Sequence, residues 1–394
     1  MQPVVTVHRR VLDPIRRGHP WIFKEAILKV RGAAAAGDAV ALVDESGAAL
    51  GFGVYDPSSP IAVRVWGASP LDEALATARL EAAFRLRREL FADGTTTAYR
   101  LLNGEGDRTP GWVIDRYDNV GVLRTDGDAA AILATRFGET LEGALRAEGI
   151  TTAVLRGAQK GEKRSSEVLF GPPPPDVIHV REHGVPFEVD LAGGQKTGAF
   201  LDQRENRARV GALVRGLVGR RGEISVLNLF SYAGGFSLHA ALAGAKTTSV
   251  DVAPLAHKTA QASFRAAGLS LSGHAFVTSD VYAFLADAKK KGRTFDVVIC
   301  DPPSFAPNER SVPRALQAYR SLHAAAAAVL ADGGTLLAAS CSSHVGMEAF
   351  LGTLDDAALG RADLRVTDVH GPPADHPSVA TFPEGRYLKA VFMA

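Results

Sequence analysis

The sequence predicts an α/β protein in which two small domains precede a larger domain built on a parallel, doubly wound sheet. From residue 224 onward, apolar runs of strand length alternate strictly with segments of helical periodicity. The first run, Ile224–Phe230, is followed by Gly234 and Gly235 and then by a helical pattern, and the next strand ends on Asp251. A strand, a glycine turn, a helix and an acid-ended strand are typical of a nucleotide-binding unit. The acid can accept both hydroxyl groups of a ribose.

The composition is that of a globular protein with several domains. The chain has 394 residues, 46% of them hydrophobic and 22% charged. No apolar run approaches the roughly 18 residues of a membrane-spanning helix, and the N-terminus lacks the apolar core of a signal peptide. Two cysteines, Cys300 and Cys341, argue against a disulfide framework. We therefore expect a cytoplasmic protein with no membrane partner.

Residues 1–70 are predicted to form a small β domain, because short β-rich runs alternate with turn signals. The strands that we expect are Val4–Val7, Val40–Asp44, Leu50–Tyr55 and Ile61–Trp66. Residues 1–31 carry seven basic and two acidic side chains, a local charge of +5 on a chain of net charge +1. Arg16 and Arg17 in this basic cluster are predicted to contact RNA phosphates.

Residues 71–190 are predicted to form a linker helix, Leu71–Phe91, and a central α+β domain. Its helix is expected from about Asp128 to Glu148. The strands that we expect are Tyr99–Leu102, Gly111–Arg116, Val120–Arg124, Ala153–Arg156 and Val168–Phe170, then a hairpin of Ile178–Glu182 and Val185–Val189. The mixed-charge loop Gln159–Arg164 is either solvated or a contact for RNA.

Residues 191–394 are predicted to form the large Rossmann-like domain, opening with a helix that runs to about Leu217. The predicted strands are 224–230, 246–251, 274–278, 295–300, 334–340, 364–369 and 386–393. Because ligands of such sheets bind at the carboxyl ends of the strands, the residues that follow each strand are the candidates for function.

Three aspartates end successive strands of this sheet. Asp251 suits ribose hydroxyls, and Asp280 can accept from an adenine amino group beside the apolar Val252 and Val281. Asp301 ends the fourth strand. One such aspartate is as readily a helix cap as a ligand contact, but three of them behind a glycine turn favour a ligand site.

Asp301 opens the motif Asp-Pro-Pro-Ser-Phe, which indicates a planar substrate. Pro302 and Pro303 fix the backbone and leave carbonyl groups unpaired, and Phe305 can stack on a planar ring. Motifs of this kind mark methyltransferases that act on nucleobases or planar nitrogens.

Cys341, at the end of the fifth strand, is the candidate nucleophile. Carbon-5 of cytosine cannot attack a methyl donor unless a thiolate first adds to carbon-6. Asp301, one strand away, would contact the exocyclic amine or the protonated ring nitrogen and draw charge out of the ring. The alternative for Cys341 is a buried apolar residue, which its polar neighbours disfavour. For Cys300, inside an apolar strand, we expect burial.

These motifs together resemble the bacterial 23S ribosomal RNA cytosine-5 methyltransferase family with an N-terminal PUA domain, over essentially the whole chain. The segments that carry the resemblance are Gly18–Phe23, Lys196–Arg204, Asn228–Phe236, Asp301–Phe305, Ser340–Ser342 and Asp375–Pro377. The resemblance implies a PUA barrel at 1–70, a central α+β domain at 71–190 and a Rossmann-like class I methyltransferase domain at 191–394. It implies 23S ribosomal RNA as partner, with a homodimer as one oligomeric option.

The resemblance also implies S-adenosylmethionine (SAM) at the glycine turn, covered by Lys196–Arg204, and Cys341 with Asp301 as catalytic residues. The residues expected to bind SAM are Thr197, Phe200, Gln203, Asn228, Phe230, Tyr232, Gly234, Gly235, Asp251, Val252, Asp280, Val281 and Asp301. The residues expected to bind RNA are Arg16, Arg17, Pro302, Pro303 and Phe305. No metal is expected. Related two-cysteine enzymes have a second cysteine where Ser304 stands here, so the group that takes the carbon-5 proton stays open.

Three alternatives remain at the level of sequence. One is a methyltransferase for another base, such as guanine, with Cys341 purely structural. Another is a non-catalytic RNA-binding assembly factor. The third, a nucleotide-dependent oxidoreductase, lacks the Gly-x-Gly-x-x-Gly fingerprint.

Overall fold

The computed structural model describes residues 2–160, 163–194 and 196–394. The chain divides into two compact units: unit 1 comprises Met1–Ile178, Leu191–Leu201 and Ala374–Gly385, and unit 2 comprises His179–Asp190, Asp202–Pro373 and Arg386–Ala394. The tip of the mixed-charge loop, residues 161 and 162, lies outside the described residues. Each unit combines separate stretches of the chain, so the units do not test the predicted domain boundaries, which stay a prediction.

The N-terminal part of unit 1 is a six-stranded sheet with strand order β2-β6-β5-β4-β1-β3. Its elements are β1 (Val4–Val7), α1 (Leu12–Arg16), β2 (Trp21–Phe23), β3 (Ile27–Arg31), β4 (Ala39–Val43), β5 (Ala49–Tyr55) and β6 (Ile61–Gly67). Alternate residues such as Val5, Val7 and Leu42 are fully buried in its core. Strands β2 and β3 were not predicted, because the first has three residues and the second buries no residue fully.

The rest of unit 1 is a five-stranded sheet, β11-β10-β9-β8-β7, covered by helices. Its elements are α2 (Glu73–Leu90), β7 (Ala98–Asn103), β8 (Trp112–Tyr117), β9 (Val120–Thr125), α3 (Asp128–Arg136), α4 (Gly138–Ala147), β10 (Thr152–Lys160) and β11 (Lys163–Phe170). Helix α2 begins where the Asp72 carboxylate accepts from the Leu75 N–H at 2.8 Å.

The single helix predicted for residues 128–148 is wrong in one respect, because Phe137 separates α3 from α4. Phe137 has φ −99° and ψ 24° and lies outside helical geometry. Its ring is buried and packs edge-on against Trp112, with 6.2 Å between the ring centroids. Core packing therefore overrides the local helical pattern at this position.

The remaining elements form a hairpin and the large α/β sheet. They are β12 (Val177–Glu182), β13 (Val185–Asp190), α5 (Arg204–Arg221), β14 (Ser225–Leu229), α6 (Gly235–Leu242), β15 (Lys246–Asp251), α7 (Pro254–Ala266), β16 (Ala275–Thr278), α8 (Val281–Lys290), β17 (Phe295–Cys300), α9 (Val312–Ala327), β18 (Leu330–Ser340), α10 (Met347–Leu351), α11 (Asp356–Leu359), β19 (Val366–His370) and β20 (Lys389–Met393). All seven predicted strands of the sheet are present.

The large sheet has the order β16-β15-β14-β17-β18-β20-β19, with β17 at its centre and β14, its first strand in the sequence, beside β17. Five strands are parallel as predicted, but β20 runs antiparallel between β18 and β19. The prediction of an all-parallel sheet is therefore wrong for this strand. A parallel pair of strands needs a crossover connection, usually a helix. The described residues between β19 and β20 form no α-helix and have one short 3-10 turn, Pro383–Gly385.

Residues 375–377, which lie in the connection before β20, are held within unit 1 by three hydrogen bonds. Arg87 Nη2 donates to the Asp375 carbonyl at 2.6 Å, and the Arg100 N–H donates to the Asp375 carboxylate at 2.9 Å. Asn103 Nδ2 donates to the Pro377 carbonyl at 2.8 Å. A Cβ atom on Gly106 would lie only 1.8 Å from the same Pro377 oxygen. Only glycine at residue 106 permits this approach of two backbones.

We expect the Gly106→Ala variant to lose about 2 kcal/mol or more of its free energy of unfolding, because backbone must move to admit the methyl group. Urea unfolding monitored by circular dichroism measures this loss. Gly143→Ala is the matched control, since Gly143 lies in α4 and its added Cβ would meet nothing within 4 Å. That control should be neutral or slightly more stable; equal stability of the two variants would contradict the packing argument.

Candidate active site

The strand register of unit 2 brings the predicted motifs to one edge of the sheet. Leu229, the last residue of β14, is the register partner of Val250 on one side and of Cys300 on the other. The residues that follow, Asp251, Phe230 and Asp301, therefore form one row. With adjacent strands about 4.8 Å apart, roughly 10 Å separates the backbones of the two aspartates.

The turn after β14 has an unusual backbone. Phe230 and Tyr232 have φ values of 56° and 45°, and Gly234 has φ 72°. A left-handed conformation costs a non-glycine residue about 1–3 kcal/mol and persists only where neighbouring groups hold it. The Tyr232 N–H donates to Asp251 Oδ2 at 2.8 Å, and the Ser231 N–H donates to the Val250 carbonyl at 3.0 Å. These bonds hold the turn against the end of β15.

The two glycines of the turn are required by packing within unit 2. A Cβ on Gly234 would lie 2.8 Å from the Ala260 Cβ, and a Cβ on Gly235 would lie 2.7 Å from Arg207 Cδ. The sequence analysis explained these glycines by the space that a ligand needs. That explanation is incomplete, because helices α5 and α7 already leave no room for a side chain at either position.

Arg207 is fixed over Gly235 by a buried ionic cluster. Its guanidinium donates twice to the Glu182 carboxylate, at 2.8 and 2.6 Å, and His239 Nε2 lies 3.2 Å from the same carboxylate. Burial opposes ionisation of Glu182, but Arg207 and His239 outweigh it and hold the pKa of this carboxyl far below its usual value. The cluster joins hairpin β12–β13 to helices α5 and α6.

Asn228 contributes to the interior of the site. It is buried in β14, and its Nδ2 donates to Ser237 Oγ at 3.0 Å, which in turn lies 2.7 Å from Ser249 Oγ. This polar chain connects β14, α6 and β15.

Asp280 acts as the N-cap of α8, with its Oδ1 accepting from the Ala283 N–H at 2.9 Å. Val281, the next residue, is 2% exposed and belongs to the hydrophobic core. Val252 is 67% exposed. Of the two apolar residues predicted beside an adenine, only Val252 thus presents its side chain at the surface of unit 2.

Three predicted cofactor residues come from the segment that precedes α5. Thr197 and Phe200 belong to unit 1, where the Thr197 hydroxyl bonds to the Asp115 carboxylate and lies 2.9 Å from the Tyr117 hydroxyl. Lys196 Nζ lies 4.4 Å from the centroid of the Phe200 ring. Gln203 belongs to unit 2 and accepts from Asn206 Nδ2 at 2.6 Å.

The Asp-Pro-Pro-Ser-Phe loop and the Cys341 loop (residues 341–346) are tied together by side-chain hydroxyls. The Tyr319 hydroxyl lies 2.9 Å from Ser340 Oγ and 3.1 Å from Ser342 Oγ, and Ser304 Oγ lies 2.9 Å from Ser342 Oγ. We call these four residues the hydroxyl network. Burial raises the pKa of Tyr319, so this phenol stays neutral. The sequence analysis did not predict this network, because Tyr319 lies on the buried, largely apolar face of α9 and no motif marks it.

The backbone of Phe305 also bonds to Tyr319, and the two rings pack at 4.8 Å between centroids. Phe305 is only partly buried, Pro302 is buried and Pro303 is exposed. The motif is thus fixed at one end by packing and presents Pro303 and Ser304 at the surface of unit 2.

The two cysteines differ in their environments. Cys341 is partly exposed, whereas Cys300 is completely buried in the core below Asp301. Burial, together with the neighbouring Asp301 charge, raises the pKa of the Cys300 thiol far above its usual value. The prediction of a buried Cys300 is confirmed. Cys341 is not enclosed in hydrocarbon, which is the condition for a reactive thiol.

Lys389 is a further residue at the site that the sequence analysis missed. It opens β20, is 3% exposed, and donates from Nζ to the carbonyls of Ser342 and Val345, each at 2.7 Å. The signal was present in the sequence: a lysine within the otherwise apolar run Leu388–Met393. Buried lysines are rare and usually have a specific role.

The predicted RNA-binding arginines lie at the surface of unit 1. The side chain of Arg16 is 61% exposed, with Nη2 at 3.8 Å from Asp44, and that of Arg17 is 70% exposed, with Nε at 3.0 Å from Asp13. Of the aromatic residues nearby in sequence, Trp21 is partly buried and packs against Phe382, at 4.6 Å between ring centroids.

Comparison with known proteins decides the family. Residues 5–67 match the family described as PUA-like domain, and residues 146–392 match the S-adenosylmethionine-dependent methyltransferase family. A protein of Deinococcus radiodurans named ribosomal RNA large subunit methyltransferase is 38% identical over 96% of this chain and 94% of its own length. Ribosomal RNA large subunit methyltransferase I of Photobacterium profundum is 35% identical over 95% of each chain. The chain belongs to this methyltransferase family.

Solved structures agree on the fold. A methyltransferase crystallised with SAH superposes over 100% of both chains with a TM-score of 0.85, at 24% identity. A SAM-dependent methyltransferase from Streptococcus mutans gives a TM-score of 0.84 over the same extent. The predicted class I methyltransferase fold, the PUA-like domain and the cofactor SAM are thereby confirmed. Among the described helices, none has the length and apolar character to span a bilayer.

We expect the Tyr319→Phe variant to lose about 1–3 kcal/mol of stability, because the Phe305 N–H and the serine hydroxyls each lose a buried partner. Urea unfolding measures the loss. Tyr282→Phe is the control, since Tyr282 is 41% exposed and lies outside the hydroxyl network. If both variants unfold at the same urea concentration, the network does not contribute to stability.

Proposed function

We propose that this protein is a SAM-dependent methyltransferase that forms 5-methylcytosine in 23S ribosomal RNA, with Cys341 as the covalent nucleophile. The observation that carries the proposal is the partly exposed thiol of Cys341 beside the Asp301 loop, at the sheet edge that also bears the glycine turn. The names of the relatives, which specify the large ribosomal subunit, support the RNA substrate. We place its action in the cytoplasm, where that RNA is made.

The residues at the glycine turn fit SAM. Each Asp251 oxygen accepts one backbone N–H, from Tyr232 at 2.8 Å and from Ala253 at 2.9 Å, and each retains a lone pair for a ribose hydroxyl. The exposed Val252 offers an apolar surface next to Asp251, and Asp280 has a second carboxylate oxygen beyond its capping bond. When bound, SAM supplies an electrophilic methyl group.

Cys341 would make the pyrimidine reactive. Its thiolate would add to carbon-6 of cytosine: a carbon–sulfur bond forms, the π electrons of the 5,6 double bond shift to the bond between carbon-4 and carbon-5, and ring nitrogen 3 is protonated. Carbon-5 of the resulting enamine can then take the methyl group. Loss of the carbon-5 proton to water and elimination of the thiolate then restore the aromatic ring. Asp301 would bond to the exocyclic amine or the protonated ring nitrogen, which favours cytosine over uracil.

RNA binding is assigned to unit 1. Arg16 lines a cavity of about 360 Å³ together with Gly18, Trp66 and Arg108, and its guanidinium is largely exposed. Arg16 and Arg108, which both line this cavity, can neutralise phosphates of a strand that enters it. The predicted contact of Arg16 with RNA rests on this cavity, and that of Arg17 rests on its exposed side chain, which follows Arg16 in the sequence.

Identification of the methylated nucleoside tests the proposal. The protein is incubated with labelled SAM and undermodified 23S ribosomal RNA, and the RNA is then digested to nucleosides. We expect the label in 5-methylcytidine. Label in methylguanosine would reject cytosine as the target, and SAM binding without any label transfer would favour a non-catalytic RNA-binding protein.

Cys341→Ala is expected to abolish methylation while the affinity for SAM stays within a few-fold, because the thiol belongs to the base side of the site. Turnover and calorimetric SAM titration measure the two quantities. Cys300→Ala, which removes the buried cysteine, should retain turnover. Normal turnover in the Cys341 variant would remove the nucleophile from the mechanism.

Asp251→Asn is expected to weaken SAM binding about tenfold or more, which corresponds to about 1.4 kcal/mol. An amide places an N–H₂ group against one of the two backbone donors that the carboxylate accepts. Calorimetry measures the affinity, and Asp287→Asn, at an exposed helix position with a Lys291 partner, is the control. Equal affinities in the two variants would argue against Asp251 as a SAM ligand.

Reversing the charge of Arg16 and Arg17 to glutamate is expected to weaken RNA binding about tenfold and to reduce the salt dependence of the affinity. Filter binding over a range of salt concentrations measures both. The Lys289→Glu, Lys290→Glu variant changes the net charge equally at exposed positions of unit 2 and is the control. An unchanged salt slope would contradict a phosphate contact at these arginines.

A further inference from the structure

Lys389 places a buried ammonium group beside the loop that carries the nucleophilic cysteine. In the antiparallel ladder of β18 and β20, its register partner is Ser340, the residue before Cys341. The Nζ atom donates to the Ser342 and Val345 carbonyls at 2.7 Å each. These bonds leave one of the three ammonium protons for another partner.

The charge of this ammonium group has no carboxylate partner within the described residues. Its hydrogen bonds go to two backbone carbonyls, and among the described side chains no Asp or Glu oxygen lies within 4 Å of Nζ. A buried charge without an opposite charge is costly. Burial lowers the pKa of Lys389 to about 8, and the Cys341 thiolate acts in the opposite direction. Each group therefore stabilises the charged form of the other.

Three other ionisable groups on the elements next to the Cys341 loop do not supply a buried positive charge. Tyr319 of α9 is a neutral phenol whose own ionisation Cys341 opposes. Asp301, at the end of β17, is an acid whose charge already raises the pKa of the Cys300 thiol. His344, on the Cys341 loop, is exposed to solvent. Among these neighbours, Lys389 is the one that carries a buried positive charge.

We propose that Lys389 is a positioning residue for Cys341: its ammonium group keeps the cysteine ionised near neutral pH and fixes the loop that presents it. The thiol proton passes to water, and an ammonium–thiolate pair remains. The thiolate, and not the thiol, is the nucleophile. The catalytic role of this pairing therefore rests on the proposed function. The ionisation itself requires neither RNA nor SAM.

The pH dependence of alkylation tests this pairing. The full-length protein is treated with iodoacetamide between pH 5 and 10, and the Cys341 peptide is quantified by mass spectrometry; Cys300, being buried, serves as an unreactive internal reference. We expect a midpoint at least about one pH unit below the usual thiol value of about 8.5. In Lys389→Met the midpoint should rise by about one unit or more, so that alkylation at pH 7 slows about tenfold.

Two further variants separate charge from structure. Lys389→Arg keeps the positive charge and should keep a lowered midpoint, and Lys246→Met removes an exposed lysine paired with Glu223 and should behave as the wild type. A folded Lys389→Met protein, judged by circular dichroism and SAM binding, that retains the wild-type midpoint overturns the proposal.

The wild-type titration decides the matter if Lys389→Met does not fold. A midpoint at or above that of the same chain unfolded in urea overturns the proposal, and a lower midpoint supports it. This outcome is independent of the nucleoside analysis, because a lowered midpoint together with labelled methylguanosine would reject the target base and leave the pairing in place.

Discussion

The parallel register of β15, β14 and β17 is the constraint on which the candidate site depends. Because Leu229 is paired with Val250 and with Cys300, the next residue of each strand falls in one row at the carboxyl edge of the sheet. A slip of one residue in either pairing would turn an aspartate toward the opposite face. The apolar residues of β14 and β17, buried on both faces of the sheet, fix this register through the hydrophobic core. Packing and chemistry are thus specified by the same residues.

The two halves of the proposed chemistry are held in different ways. At the SAM side, the backbone turn is strained at Phe230 and Tyr232, and hydrogen bonds to β15 hold it. At the base side, the hydroxyl network joins two loops through side chains rather than through backbone pairing. Hydroxyl groups suit this task because each can both donate and accept.

Local sequence patterns predicted much of the fold and supplied the residues of the candidate site. The strands of the large sheet were predicted from runs of strand length that alternate with helical patterns, and Asp251, Asp301 and Cys341 were predicted because each stands at the end of such a strand. The features that the sequence analysis missed depend on contacts between residues that are far apart along the chain. The direction of β20 depends on a connection that belongs partly to unit 1, and Tyr319 bonds to serines about twenty residues away. The break at Phe137 depends on Trp112 in another strand.

The position of β20 has a consequence for the assembly of the large sheet. This strand follows β18 and β19 in the sequence but inserts between them, so β18 and β19 cannot belong to one sheet until β20 has folded into place. Until then β18 has an open edge, which invites pairing with other chains. Lys389 arrives with the same strand. The insertion of β20 therefore completes the sheet and fixes the Cys341 loop in one step, because Lys389 donates to two carbonyls of that loop.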